Sequence, residues 1–180
     1  MNDCNELIKV TYLRECKARF EMYKREANNW KEIIETQALV GRNGITDNKR
    51  EGDGKTPKGM YKLGIAFGIH EVVNTHLNYI RINEKLYWID DVNSKFYNQM
   101  VDITKVKPDW NSAEHLIDYP IQYEYAIEIK TNPKNIPGKG SAIFLHCTNG
   151  NPTAGCIAIY KENMVKVLKN LSENALINIE

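Results

Sequence analysis

The sequence predicts a mostly-β domain with one clear α-helix near its C-terminus. Short apolar segments with two-residue alternation recur along the chain. Stretches rich in Gly, Pro and Asn separate them. Only residues 161–173 carry a clear helical stripe, formed by Met164, Val167, Leu168 and Leu171. The chain has 180 residues, which suits one domain. It is read as a single unit over 1–180, with N-terminal strands over 1–38 and a motif-bearing region over 39–180. With 42% hydrophobic and 26% charged residues, the composition is globular and the core needs no disulfide staples.

The elements follow in order. Leu7, Ile8, Val10 and Tyr12 lead into Ala18, Phe20, Met22 and Tyr23, and Trp30, Ile33 and Ile34 resume the pattern after Asn28-Asn29. Two or three strands joined by a tight turn are expected, against the alternative of an amphipathic helix over Arg14 to Ala27. Residues 41–59, GRNGITDNKREGDGKTPKG, read as a loop with special backbone angles. Met60 to Ile69 and Leu86 to Ile89 read as strands, with a turn over Asp90 to Ser94. SAEHL (112–116) suggests one or two helical turns. Tyr123 to Ile129 is expected as a strand with Tyr123, Tyr125, Ile127 and Ile129 on one face. After the loop 131–140, Ser141 to Cys147 reads as a buried central strand. A polar loop over 148–154 precedes another apolar run, Gly155 to Ile159, and the tail ALINI suggests a last strand.

Several function classes lose support. A net charge of +1 with no long basic run argues against nucleic acid as a partner. No run of 18 apolar residues provides a transmembrane segment. Gly54-Lys55-Thr56 resembles the end of a phosphate-binding loop, but that motif needs a glycine at position 49, where Lys49 stands. The four cysteines, Cys4, Cys16, Cys147 and Cys156, form no CxxC pair, and no metal or cofactor is expected. His70 and His76 read as surface residues.

One constellation could do chemistry. His146 ends a buried run, and Gly155-Cys156 opens the next one ten residues on. A free thiol has a pKa near 8.5 and needs a neighbouring base. An imidazole can take its proton, and the thiolate can then attack a carbonyl to form a thioester. Gly155 and Cys156 are the candidate backbone oxyanion donors, each such donor contributing roughly 3 kcal/mol. The bland reading is a small hydrophobe and a hydrogen-bonded strand-end histidine. Adjacent strand residues face opposite ways, so Cys147 faces the core if His146 faces the site.

The segment IFLHCTNGNPTAGCIAI (143–159) resembles the catalytic motif of the YkuD-type L,D-transpeptidases: a histidine, a loop, then Ser or Thr, any residue, Gly and Cys. Thr153, Gly155 and Cys156 match it. DGKTPKGMYKLG (53–64) resembles the family's TP-x-G segment, and VGRNGI (40–45), WIDD (88–91), YNQ (97–99) and SAEHL fit one branch. The resemblance covers roughly residues 40 to 171. It implies a β-sandwich-like fold of mixed sheets, with a helix near the catalytic loop. It also implies a cysteinyl thioester on Cys156 formed from a peptidoglycan tetrapeptide stem, with His146 as base and later acid. An amine from a second stem would then give a 3→3 cross-link.

Thr153, Tyr97, Asn98 and Glu114 are candidate substrate-binding residues by the same analogy, with packing as their bland reading. Three departures stand out: only nine residues separate His146 from Cys156, Ala154 replaces a His or Arg, and Ala158 replaces an Arg. The implied partners are peptidoglycan stem peptides and, as a covalent probe, a carbapenem. MNDCNELIKV has no secretory pattern, which leaves either an intracellular protein or a leader absent from this sequence. The location the resemblance implies is the cell envelope outside the cytoplasmic membrane, with the leader absent. Two other readings compete: an L,D-carboxypeptidase using water as acceptor, and a non-catalytic cell-wall-binding module.

Overall fold

In the computed structural model, which describes residues 4–27, 29–71 and 74–180, the first three strands form an antiparallel meander. They are β1 (Glu6–Arg14), β2 (Lys17–Glu26) and β3 (Asn29–Leu39). The helical alternative over Arg14 to Ala27 is thereby excluded, and Asn28 of the expected turn lies outside the described residues. The alternation has a direct cause: Ile8, Val10, Phe20 and Met22 all point into one core, while Lys9, Arg19 and Glu21 occupy the positions between.

Two short strands, β4 (Ile45–Thr46) and β5 (Thr56–Pro57), pair within the glycine-rich segment. β6 (Gly59–Gly68) follows, with β7 (Tyr79–Arg81) beside it. A small three-stranded sheet of order β10-β8-β9 comes next, from β8 (Leu86–Ile89), β9 (Met100–Asp102) and β10 (Ala113–His115). The chain then returns through β11 (Ala126–Ile129), β12 (Phe144–Cys147), β13 (Ile157–Ile159), α1 (Lys161–Asn170) and β14 (Leu176–Ile179).

The main sheet runs β11-β12-β13-β3-β2-β1-β14-β6, with β7 beyond, and β11 also pairs with β6. The sheet therefore closes on itself, and opposing strands face each other across the main core. Three seams are parallel, β1 with β14, β12 with β13 and β6 with β7. α1 packs on β3 and β12 and buries Met164, Val167 and Leu168. Its Glu162 and Lys169 sit at the ends that suit the helix dipole.

A second apolar cluster lies outside the closed sheet, beneath the small one. It holds Phe67, Trp88, Leu116, Tyr123, Phe144 and Cys156. Two expected elements differ here. SAEHL forms β10 and then a 3-10 turn over Leu116–Asp118, because Glu114 pairs across from Trp88 and strand pairing overrides helix propensity. Tyr123 is not in the strand: it lies in a 3-10 turn, Gln122–Glu124, and packs edge-on against Phe67 and Phe144. Tyr125 and Ile127 associate with the main core, whereas Tyr123 belongs to the outer cluster.

Candidate active site

β12 and β13 run side by side in parallel, with Leu145 opposite Ile157 and His146 opposite Ala158. Extending that register by one residue sets Cys156 beside Phe144, and the Phe144 N–H donates to the Cys156 Sγ at 3.3 Å. Leu145, Cys147, Ile157 and Ile159 enter the main core. His146 and Cys156 therefore share the opposite face, diagonal neighbours on adjacent strands with Cα atoms roughly 8 Å apart by standard strand spacings. Cys147 points into the main core, and all four cysteines are free.

No hydrogen bond joins the thiol to the imidazole. The Cys156 S–H donates to the Ala142 carbonyl at 3.1 Å. His146 Nδ1 lies 2.8 Å from the Cys147 carbonyl. That contact makes Nδ1 the donor and leaves Nε2 as the unprotonated acceptor of a neutral ring. Burial pushes the His146 pKa down to about 4, partly offset by the Cys147 carbonyl. Burial and the charge of Glu114 push the Cys156 thiol up to about 12, against the Phe144 N–H and Lys49. The resting pair is thus neutral thiol and neutral imidazole. The Cys147 carbonyl is the group that orients the histidine. Sequence could not locate it, because a backbone acceptor carries no residue signature.

The loop 148–154 is held from several sides. Thr153 Oγ1 donates to the Cys156 carbonyl at 2.7 Å and accepts from the Gly155 N–H at 3.1 Å. Buried Thr56 donates to the same carbonyl at 3.3 Å and accepts from the Gly41 N–H at 2.9 Å. Arg42 N–H donates to the Thr153 carbonyl, and Thr153 N–H to that of Val40. A side chain at Gly41 would meet the Gly54 carbonyl at 2.5 Å, so this close approach requires glycine. At Gly155, φ is +153°, and a Cβ would meet both Ile143 Cδ1 and the Lys55 carbonyl at 3.0 Å.

Gly155 N–H is therefore already engaged, while the Cys156 N–H has no acceptor among the described residues outside the strand ladders. Of the two backbone oxyanion donors expected, Cys156 is the one left available.

A cavity of about 220 Å³ is lined in part by Cys156. Arg42, Lys49, Glu51, Asp90 and Glu114 bring charge to its wall, and Ala154 and Gly155 lie beside Cys156. Of the four candidate substrate-binding residues, only Glu114 lines it. Desolvation pushes its carboxyl up to about 7, against the Tyr123 hydroxyl bonded to it and with the charges of Asp90 and Glu51. Tyr123 in turn packs edge-on against His146, with ring centroids 5.8 Å apart.

The other three are spent on structure. Tyr97 is buried and donates to Glu51. Asn98 receives the Trp88 indole N–H at 3.2 Å and the Ala142 N–H at 3.1 Å, and donates to the Asn132 carbonyl and Asn135 side chain. It thereby fixes Ala142, whose carbonyl holds the thiol and whose φ is +51°. Thr153 braces the catalytic loop. Ala158 is buried beside His146 and opens onto a second cavity of about 260 Å³ lined by Thr148, Gly150 and Tyr160. Thr56 and Lys49 were not singled out from sequence. Their signal was the density of glycines around them, which marks close backbone packing.

The sequence profile of the YkuD family, described as the L,D-transpeptidase catalytic domain, matches residues 17–179. The chain belongs to this family. Members of this family act on peptidoglycan in the cell envelope. No curated protein matches it in sequence. Among solved structures, it is similar to Bd1075 from Bdellovibrio bacteriovorus, with 16% identity and a TM-score of 0.52. The match covers 98% of this chain and 48% of that one, so this chain spans about half the length of that protein, and the likeness concerns the fold alone. Among the described residues, no helix is long and apolar enough to cross a membrane.

Proposed function

We propose that the chain is an L,D-transpeptidase that forms 3→3 peptidoglycan cross-links through a thioester on Cys156, acting in the cell envelope outside the cytoplasmic membrane. The observation that carries this reading is the shared outer face. A cavity is lined by Cys156, and His146 stands on the next strand with Nε2 free to accept a proton. The thiol proton passes to His146 Nε2 as sulfur attacks the carbonyl of the third stem residue. The C–N bond then breaks, and the terminal D-alanine amine leaves with the proton from His146. An amine of a second stem attacks the thioester, gives its proton to the imidazole and frees the thiol.

Thr153 and Asn98 act on this reading by fixing the Cys156 and Ala142 backbones, and Tyr97 by holding Glu51. Glu114 is the member of the four that meets the substrate. The test is incubation with a tetrapeptide stem, with and without an added amine acceptor, followed by mass analysis of products. Cross-linked dimer that depends on Cys156 is expected. Trimmed tripeptide alone, whatever amine is present, overturns the transferase reading in favour of a carboxypeptidase.

A further inference from the structure

The oxyanion of the acyl-transfer step is short of donors, and the glycine-rich segment places a cation beside it. Gly155 N–H is held by Thr153, leaving Cys156 N–H. Lys49 lies close to the same glycine. Its side chain is only 9% exposed, and its Nζ would lie 3.1 Å from a Cβ built on Gly155. The ammonium bonds Asp53 Oδ1 at 2.6 Å and the Lys55 carbonyl at 2.8 Å. An ammonium has three donors, so one N–H remains, without an acceptor among the described residues. Lys49 and Cys156 also line the same cavity. Its stem is confined as well: a Cβ on Gly140 would meet Lys49 Cγ at 2.8 Å. A long, flexible side chain is thus held in one place, next to the nucleophile.

We propose that Lys49 is a third catalytic residue, whose free N–H and positive charge stabilise the oxyanion formed when Cys156 attacks a carbonyl. The inference rests on the acyl-transfer reading of this site. In the step, the S–C bond forms and the carbonyl π pair moves to oxygen. That oxygen accepts hydrogen bonds from the Cys156 N–H and Lys49 Nζ, and no proton leaves the ammonium. When the C–N bond breaks, the pair returns to the carbonyl. A charged donor in a partly buried site suits this task, because it needs no reorganisation as the charge appears. Other charged groups on the cavity wall are Arg42 from the segment after β3, Glu51 from Lys49's own loop, Asp90 after β8 and Glu114 on β10. Asp53 is the counter-ion of Lys49. The three wall carboxylates oppose anion formation, so Lys49 is the buried cation that offsets them.

The experiment compares Lys49→Met, Lys49→Gln and Asp53→Asn with the unaltered chain in two assays, with melting temperature measured alongside. One assay is the rate of covalent carbapenem acylation followed by intact mass. The other is the rate of Cys156 alkylation by iodoacetamide at a fixed pH of about 8, which follows the thiolate fraction, in a Cys4, Cys16 and Cys147 to Ala background. Removing the charge is expected to slow acylation about 100-fold and to slow alkylation. Asp53→Asn removes the counter-anion and is expected to speed alkylation. A purely structural role for the Lys49–Asp53 pair predicts the opposite: equal loss of acylation in both variants, and alkylation in Asp53→Asn that is unchanged or slower. Either result overturns the proposal. The Asp53→Asn alkylation rate decides the matter even if the Lys49 variants do not fold. If carbapenem fails to acylate the unaltered chain, the functional reading falls, while the alkylation rate still reports on Lys49.

Discussion

At the residue scale, the site is set by what burial does to two side chains. His146 is neutral when folded, with its pKa near 4 rather than 6.5. As pH falls below 6.5 the unfolded chain takes up a proton that the folded chain refuses, so stability is lost from about pH 6.5 down to about 4. The full shift corresponds to about 3 kcal/mol. Cys156 gives the mirror case: its folded pKa near 12 means stability is lost as pH rises from about 9 to 12. Glu114, raised to about 7, acts in the opposite sense, its contribution being lost as pH rises from about 4.5 to 7. In urea unfolding, the stability difference between the unaltered chain and His146→Gln is therefore expected to shrink as pH falls from about 6.5 to 4, and a difference that stays constant would contradict the neutral buried histidine. That His146 and Cys156 come to lie on neighbouring strands was legible in the sequence, because two apolar runs joined by a short polar loop carry them. The roles of Asn98, Tyr97 and Thr153 were not, because a polar side chain spent on a neighbouring backbone looks the same in sequence as one facing a substrate.

At the element scale, the strand pair that carries His146 and Cys156 is positioned by loops rather than by extensive pairing. β13 meets β3 through a single pair, Ala158 with Leu39. The rest of that seam is the Gly41–Thr153 bridge and the Thr56 hydroxyl. Thr56→Val keeps the shape but leaves the buried Gly41 N–H without its acceptor, a loss of about 2 kcal/mol. It also frees one of the two hydroxyls on the Cys156 carbonyl. A thermal melt and a carbapenem acylation rate should both fall. An unchanged melt would mean that water replaces the hydroxyl and that the TP-x-G segment acts otherwise. The strands of the N-terminal meander were readable because one buried face imposes strict alternation. The SAEHL segment and Tyr123 were misread because their conformation is fixed by partners far along the chain, Trp88 and the Phe67–Phe144 cluster. Local propensity carries no trace of such partners.

At the scale of the whole molecule, the closed sheet separates two chemically identical groups. Cys147 enters the main core, where burial raises its thiol to about 11, while Cys156 sits on the outer face under the small sheet, beside a cavity. The closure itself, with β14 inserted between β1 and β6, was not legible in sequence, since nothing in ALINI names its neighbours. The division between the two faces is the central claim, because everything proposed for this enzyme depends on Cys156 being the thiol that substrates meet. Intact-mass and peptide mapping after incubation of the folded chain with a carbapenem tests it most directly. The account predicts one adduct, located on Cys156, absent in Cys156→Ala and retained in Cys147→Ala. An adduct on Cys147, or on any residue when Cys156 is alanine, would contradict it.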